Sequence, residues 1–211
     1  MLDPDVKDWI SVAKDLVVAT AAVVTMVLGI YGVRTWKRDL VGKEVYSAAR
    51  ALVKESHLAS KAARKLRTPI RDDERKEFSE DEIKNLTGRE KWRISEASAY
   101  EMRKVEFSRQ LDQYDQAKLD LRVLTGSRVY EGFLPFDRNL TECICRVSSY
   151  IDLLQDHSAE LYEESPGILA AQSSLYPSDN LDDEFSQNLA DSRESGELAL
   201  LRYLHRSSIY G

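Results

Sequence analysis

Eighteen consecutive residues without a charge, Leu16 to Val33, constrain this chain more than any other feature in it. The only polar side chains in the run are Thr20, Thr25 and Tyr31. Such a stretch is long enough to cross the hydrocarbon core of a bilayer as a helix, whereas a core helix of a soluble protein seldom goes five turns without a charge. Trp9 and Trp36 flank it 27 residues apart, which is about 40 Å of helix at 1.5 Å per residue. That matches a bilayer with its headgroups, so the two indoles read as interfacial anchors. A cleaved signal peptide would need basic residues before the run and a small-x-small site after it. Here Asp3, Asp5, Asp8 and Asp15 outnumber Lys7 and Lys14 before it, and Arg34, Lys37, Arg38 and Lys43 follow. The positive-inside rule then puts the N-terminus outside and the long C-terminal part in the cytoplasm, with Arg34, Lys37 and Arg38 joining Trp9 and Trp36 as membrane anchors. Two cysteines, too few for a disulfide scaffold, fit a reducing compartment.

One side of this span is small. Ala21, Thr25, Gly29 and Gly32 follow at steps of four, four and three, along one helix face. In lipid such a face permits close helix packing. It predicts a self-associating span, with pore lining as the stronger form of that reading; a lone Ala/Gly-rich anchor gives the same pattern. With no charge inside the membrane, proton relays and voltage sensing find no support.

Past the span the charge is uneven. The chain carries a net charge of -6, yet residues 34–76 hold 13 basic and 6 acidic side chains, a net of +7. From Trp36 to Thr68 only Gly42 weakens a helix, and Pro69 ends it. Val41, Val45, Ala48, Leu52, Ala59, Ala63 and Leu66 fall on one side of that helix. Lys43, Arg50, Lys54, His57, Lys61 and Arg64 fall on the other, with Tyr46 beside them. A pure basic face is a candidate anionic-ligand site, built on Lys43, Arg50, Lys54, Lys61 and Arg64, or a surface laid against anionic lipid.

The remainder reads as more helices, an all-α fold in which a cytoplasmic bundle follows one N-terminal transmembrane helix. Four sections are expected: a short extracytoplasmic N-terminus at 1–15, a transmembrane helix at 16–35, a basic amphipathic helix at 36–68 and a helical domain at 69–211. Ser79 with Glu82 is a capping box for a short helix. Glu90 to Leu124 repeats Tyr100, Phe107, Tyr114 and Leu121 every seven residues, with Arg103 and Gln110 interrupting the companion seam. Gly126, Gly132 and Pro135 predict a loop. Arg138 to Glu164 carries the cleanest seam, Leu140, Ile144, Val147, Ile151, Leu154, Ser158 and Leu161, which wants a partner helix from this chain or another subunit. Ile168 to Tyr176 is a short apolar piece, an acidic loop surrounds Asp179 to Glu184, and a last helix is predicted at Glu197 to His205. Cys143 and Cys145 read as ordinary small residues.

Chemistry is scarce in this sequence. The glycines form no phosphate-cradling pattern. His57, His157 and His205 are scattered, without a metal-ligand partner or a nucleophile motif. The expectation is a protein that is not an enzyme and needs no metal or cofactor.

The order of a single N-terminal span, the segment W-K-R-x-L-x-G-K-x-x-Y from Trp36 through Tyr46, and a helical cytoplasmic domain resembles the membrane effectors of Hailong-type anti-phage defence systems. The likeness covers the span and roughly the next 30 residues. It implies a homo-oligomer, a tetramer by preference, in the bacterial inner membrane. That assembly would be an ion channel of abortive infection, held shut by an oligodeoxynucleotide that a partner nucleotidyltransferase makes. The competing reading is a membrane-tethered helical scaffold that docks a soluble partner and conducts nothing.

Overall fold

The computed structural model describes residues 4–156, 165–177 and 183–204. Its described residues form six α-helices and no strand. They are α1 (Pro4–Leu66), α2 (Glu80–Asn85), α3 (Gly88–Thr125), α4 (Leu134–Gln155), α5 (Pro166–Leu175) and α6 (Glu184–Leu204). Two compact units divide the chain, residues 1–45 and residues 46–211. The first is helix alone; the second is the bundle.

α1 begins at Pro4, where a missing N–H is no loss, and meets no further proline before Pro69. Gly42 does not break it, since one interior glycine costs only about 1 kcal/mol. In the bundle unit α1 buries Ala49, Leu52, Ser56, Ala59, Ser60, Ala63 and Leu66, at helical spacings of three and four. These are mostly small side chains, so neighbouring helices come close. The Cys143 thiol of α4 lies 3.8 Å from the Ala63 carbonyl oxygen. The expected apolar face holds from Leu52 onward, whereas Val41 is half exposed.

Two buried arginines fix the end of α1: Arg103 meets its last carbonyls, which lack helical partners, and Arg67, just past the helix, ties it to α5 and to the start of α6. Arg103 of α3 donates from Nη1 to the Lys65 carbonyl (3.1 Å) and from Nη2 to the Pro69 carbonyl (3.1 Å). Its Nε donates to Glu74 at 3.0 Å, and its Nη2 pairs with the other oxygen of that carboxylate. Arg67 donates to the Leu175 carbonyl at the end of α5 (2.9 Å) and to both Asp183 oxygens at 2.7 and 3.1 Å. Its guanidinium also lies 4.4 Å from the centre of the Phe185 ring. Asp183 in turn accepts from the Ser186 backbone N–H, capping α6. Arg103, which interrupts the α3 seam in sequence, is there to close α1. Gln110, the other interruption, donates to Glu55 of α1 at 2.8 Å.

The heptad residues Tyr100, Phe107, Tyr114 and Leu121 are all buried. Tyr114 meets Phe136 edge-on at 5.6 Å, and Tyr100 meets Tyr150 at 5.3 Å. The predicted capping box is in place, Ser79 and Glu82 starting α2, and Thr87 with Glu90, not anticipated from the sequence, starts α3 by the same device.

Three expectations need correction. The loop around Gly126, Gly132 and Pro135 is a 3-10 turn, Ser127–Phe133, and Pro135 sits in the first turn of α4, where proline is tolerated. The helix predicted over Arg138 to Glu164 starts earlier and ends at Gln155; Ser158 and Leu161 lie outside the described residues, as do Asp179 to Asp182 and His205. The last helix starts at Glu184, well before Glu197, because its buried face runs Phe185, Leu189, Ser192, Gly196, Leu200. Ser192 and Gly196 disguise that face. Gly196 is small because the Phe133 ring fills its space: a Cβ there would lie 2.6 Å from the ring.

Candidate membrane segment and basic face

In the first unit, α1 is the one described helix long and apolar enough to cross a membrane, and none of its apolar window is buried. Its large side chains point outward, Val17 and Met26 at 67% exposure each. Trp9 and Trp36 are exposed at the two ends, and so are Arg34, Lys37 and Arg38. Ala21, Thr25, Gly29 and Gly32 are all exposed, and a Cβ added at either glycine would meet nothing within 4 Å. The two threonine hydroxyls of the run are occupied by their own helix: Thr20 donates to the Leu16 carbonyl and Thr25 to the Ala21 carbonyl, each at 2.8 Å. Apart from exposed Tyr31 near its C-terminal end, this segment therefore presents hydrocarbon and backbone-satisfied hydroxyls, a surface suited to lipid or to a like helix.

Lys43 belongs to that first unit and is exposed. The other predicted cations, Arg50, Lys54, Lys61 and Arg64, lie in the bundle unit, all exposed on the side of α1 opposite its buried face. They recur at steps of four, seven and three, which keeps them on one stripe. All four are exposed and are spread over 14 residues of helix, about 21 Å, which suits an extended polyanion more than one small anion. Lys54 touches its neighbour Glu55 at 3.3 Å but remains 72% exposed.

An acid from outside α1 reaches this stripe at His57, and sequence reasoning missed it. Glu197 of α6 sits 3.2 Å from His57 Nε2, accepts from the Ser56 hydroxyl at 3.2 Å, and pairs with Arg193 at 3.1 Å. The signal was hidden, since Glu197 was placed at the start of a helix and not in its middle. Away from the stripe, charges are used structurally. The Arg103 guanidinium beside Glu74 brings that carboxyl down to about 2. Arg67 likewise lowers Asp183. Burial pushes the Cys143 thiol up to about 11, so it stays protonated. Among the described residues no group of histidine, cysteine, aspartate or glutamate could hold a metal ion.

The fold and these surfaces define a class: an all-α bundle joined to one long apolar helix, with an exposed basic face on the bundle. No family model, curated protein or solved structure matches the chain.

Proposed function

We propose that the chain is a single-span membrane effector, N-terminus outside and bundle in the cytoplasm, that assembles into a homo-oligomer, a tetramer by preference, and forms a gated ion channel. An oligonucleotide-like polyanion on Arg50, Lys54, Lys61 and Arg64 controls it. The observation that carries this reading is the exposed cationic stripe on the very helix whose other part is the exposed apolar segment. Repulsion among the stripes of neighbouring copies makes a polyanion a stabilising ligand. The role in anti-phage defence, and a partner nucleotidyltransferase that supplies the ligand, rest on the resemblance of the Trp36 to Tyr46 segment.

The test is salt-dependent binding of a single-stranded oligodeoxynucleotide to the detergent-extracted chain. Binding should weaken steeply as salt rises, because neutralised phosphates release counterions. The triple change Lys54→Glu, Lys61→Glu and Arg64→Glu should abolish binding and leave the mass of the assembly alone. No salt-sensitive binding by the unmodified chain would sink the ligand reading and leave the stripe to anionic lipid, where each basic residue gains about 1 kcal/mol.

The tethered scaffold is the second reading. Two observations favour it: the span's threonine hydroxyls are spent on backbone carbonyls, and the α4 seam is filled by the chain itself. Currents across planar bilayers holding the purified chain separate the two readings.

A further inference from the structure

We propose that the outward face of α3 pairs with the same face of a second copy of this chain, the two helices running antiparallel about a two-fold axis. The proposal goes beyond the channel reading and needs only the bundle unit. α3 turns one seam inward, through Tyr100, Phe107, Tyr114 and Leu121, and its own bundle buries it. A second seam faces away, and its apolar members stand in solvent: Met102 and Val105 are 71% exposed, Leu119 51% and Val123 77%.

Arg109, Asp112 and Gln116, all exposed, complete that seam, so its members follow at alternating steps of three and four, the spacing of a coiled coil over three heptads. Isolated exposed apolar residues need no explanation, but a stripe at partner-helix spacing does. The order of the residues identifies the partner. Reversed about a midpoint between residues 110 and 111, the seam meets itself. Arg109 then faces Asp112 of the second copy, Val105 faces its Gln116, Met102 its Leu119 and Val123 its small Ser98. By symmetry each pairing occurs twice, so opposite charges meet at the centre and apolar contacts lie toward both ends. Arg109 is 67% exposed and already pairs with Glu106 of its own helix at 2.7 Å, but a guanidinium carries five donors and accommodates a second carboxylate. The flanks agree with the centre. Glu101 and Arg122, both exposed, border the seam on one side. The antiparallel arrangement sets Glu101 of each copy beside Arg122 of the other, at the flanking positions where coiled coils place their ion pairs. A parallel pair would instead set Arg109 against Arg109 and Asp112 against Asp112, like charges that repel. The sense of the pairing thus comes from charges on the bundle unit itself. A two-fold contact closes at two copies, and a larger assembly uses a second contact elsewhere.

The test uses the full chain in detergent, with Cys145, the exposed cysteine, changed to serine and buried Cys143 retained. The double variant Val105→Cys, Gln116→Cys should give a covalent dimer under mild oxidation, because the two positions face each other across the pair. Either cysteine alone should not, since like positions are then offset by eleven residues, ~16 Å of helix, beyond disulfide reach. Arg109→Asp sets carboxylate against carboxylate and should halve the mass of the extracted assembly while its helical circular dichroism stays unchanged. Adding Asp112→Arg makes the facing charges opposite again and should restore the mass, a rescue that separate structural roles for the two residues do not predict. Cross-linking by Val105→Cys alone would show the parallel sense and overturn the proposal. A monomeric unmodified chain overturns it as well, together with the assembly proposed above. An oligomer in which the double cysteine stays unlinked and Arg109→Asp keeps full mass overturns this contact alone and leaves the channel reading as it was.

Discussion

At the residue scale, a few side chains set the tolerances of the bundle. The Phe133 ring lies against the backbone of Gly196, so Gly196→Ala must push an aromatic ring out of a filled space. Overpacking of that kind costs roughly 1–3 kcal/mol, so the thermal midpoint of the detergent-extracted chain should fall by several degrees. Gly29→Ala, where a Cβ meets nothing, should leave that midpoint in place. The clamp at the end of α1 makes a pH prediction. Glu74 is held at about 2 against an ordinary 4.5 by Arg103, and Asp183 is lowered by Arg67. A carboxyl whose folded pKa is depressed contributes stability above its unfolded pKa and loses it as pH falls toward the folded one. Stability should therefore decline between about pH 4.5 and 2, and Glu74→Gln should flatten part of that decline in an acid titration followed by circular dichroism.

At the element scale, periodicity was readable wherever large side chains marked it. Tyr100, Phe107, Tyr114 and Leu121 gave α3, and Ser79 with Glu82 gave the start of α2, because both signals are local. α6 was half hidden. A buried face made of Ser192 and Gly196 carries no hydropathy, since it is shaped by Phe133, which is far away in sequence. The partner of α4 was equally invisible. Leu140, Val147, Ile151 and Leu154 are buried within this one chain, so this seam is not the subunit contact that its heptads suggested. Ile151→Asp should accordingly unfold the bundle, by several kcal/mol for an unpaired buried charge, and not merely split an oligomer. Cys145→Asp, exposed on the same helix, should shift stability by less than about 0.5 kcal/mol. Loss of cooperative melting in the first and its retention in the second is the expected pair of results.

At the scale of the whole molecule, composition and charge order were enough to separate a long apolar helix from a helical body, and the basic stripe was legible down to its residues. The clamps were not, because Arg67 and Arg103 find their partners at Asp183, Leu175 and Glu74 by tertiary geometry alone. The topology has its own test: Asp5→Cys should react with an impermeant thiol reagent added to intact cells, while Ser208→Cys should stay unlabelled until the cells are opened. The small side chains on the buried face of α1 bear on how the protein is made. That face leaves the ribosome early, and the α6 residue that Ser56 bonds, Glu197, follows about 140 residues later, on the order of 10 s at about 5–20 residues per second. During that interval the helix has only part of its bundle to pack into. Because Ala49, Ser56, Ala59, Ser60 and Ala63 expose so little hydrocarbon, this stretch of the waiting nascent chain offers chaperones and neighbouring polysomes almost nothing to stick to.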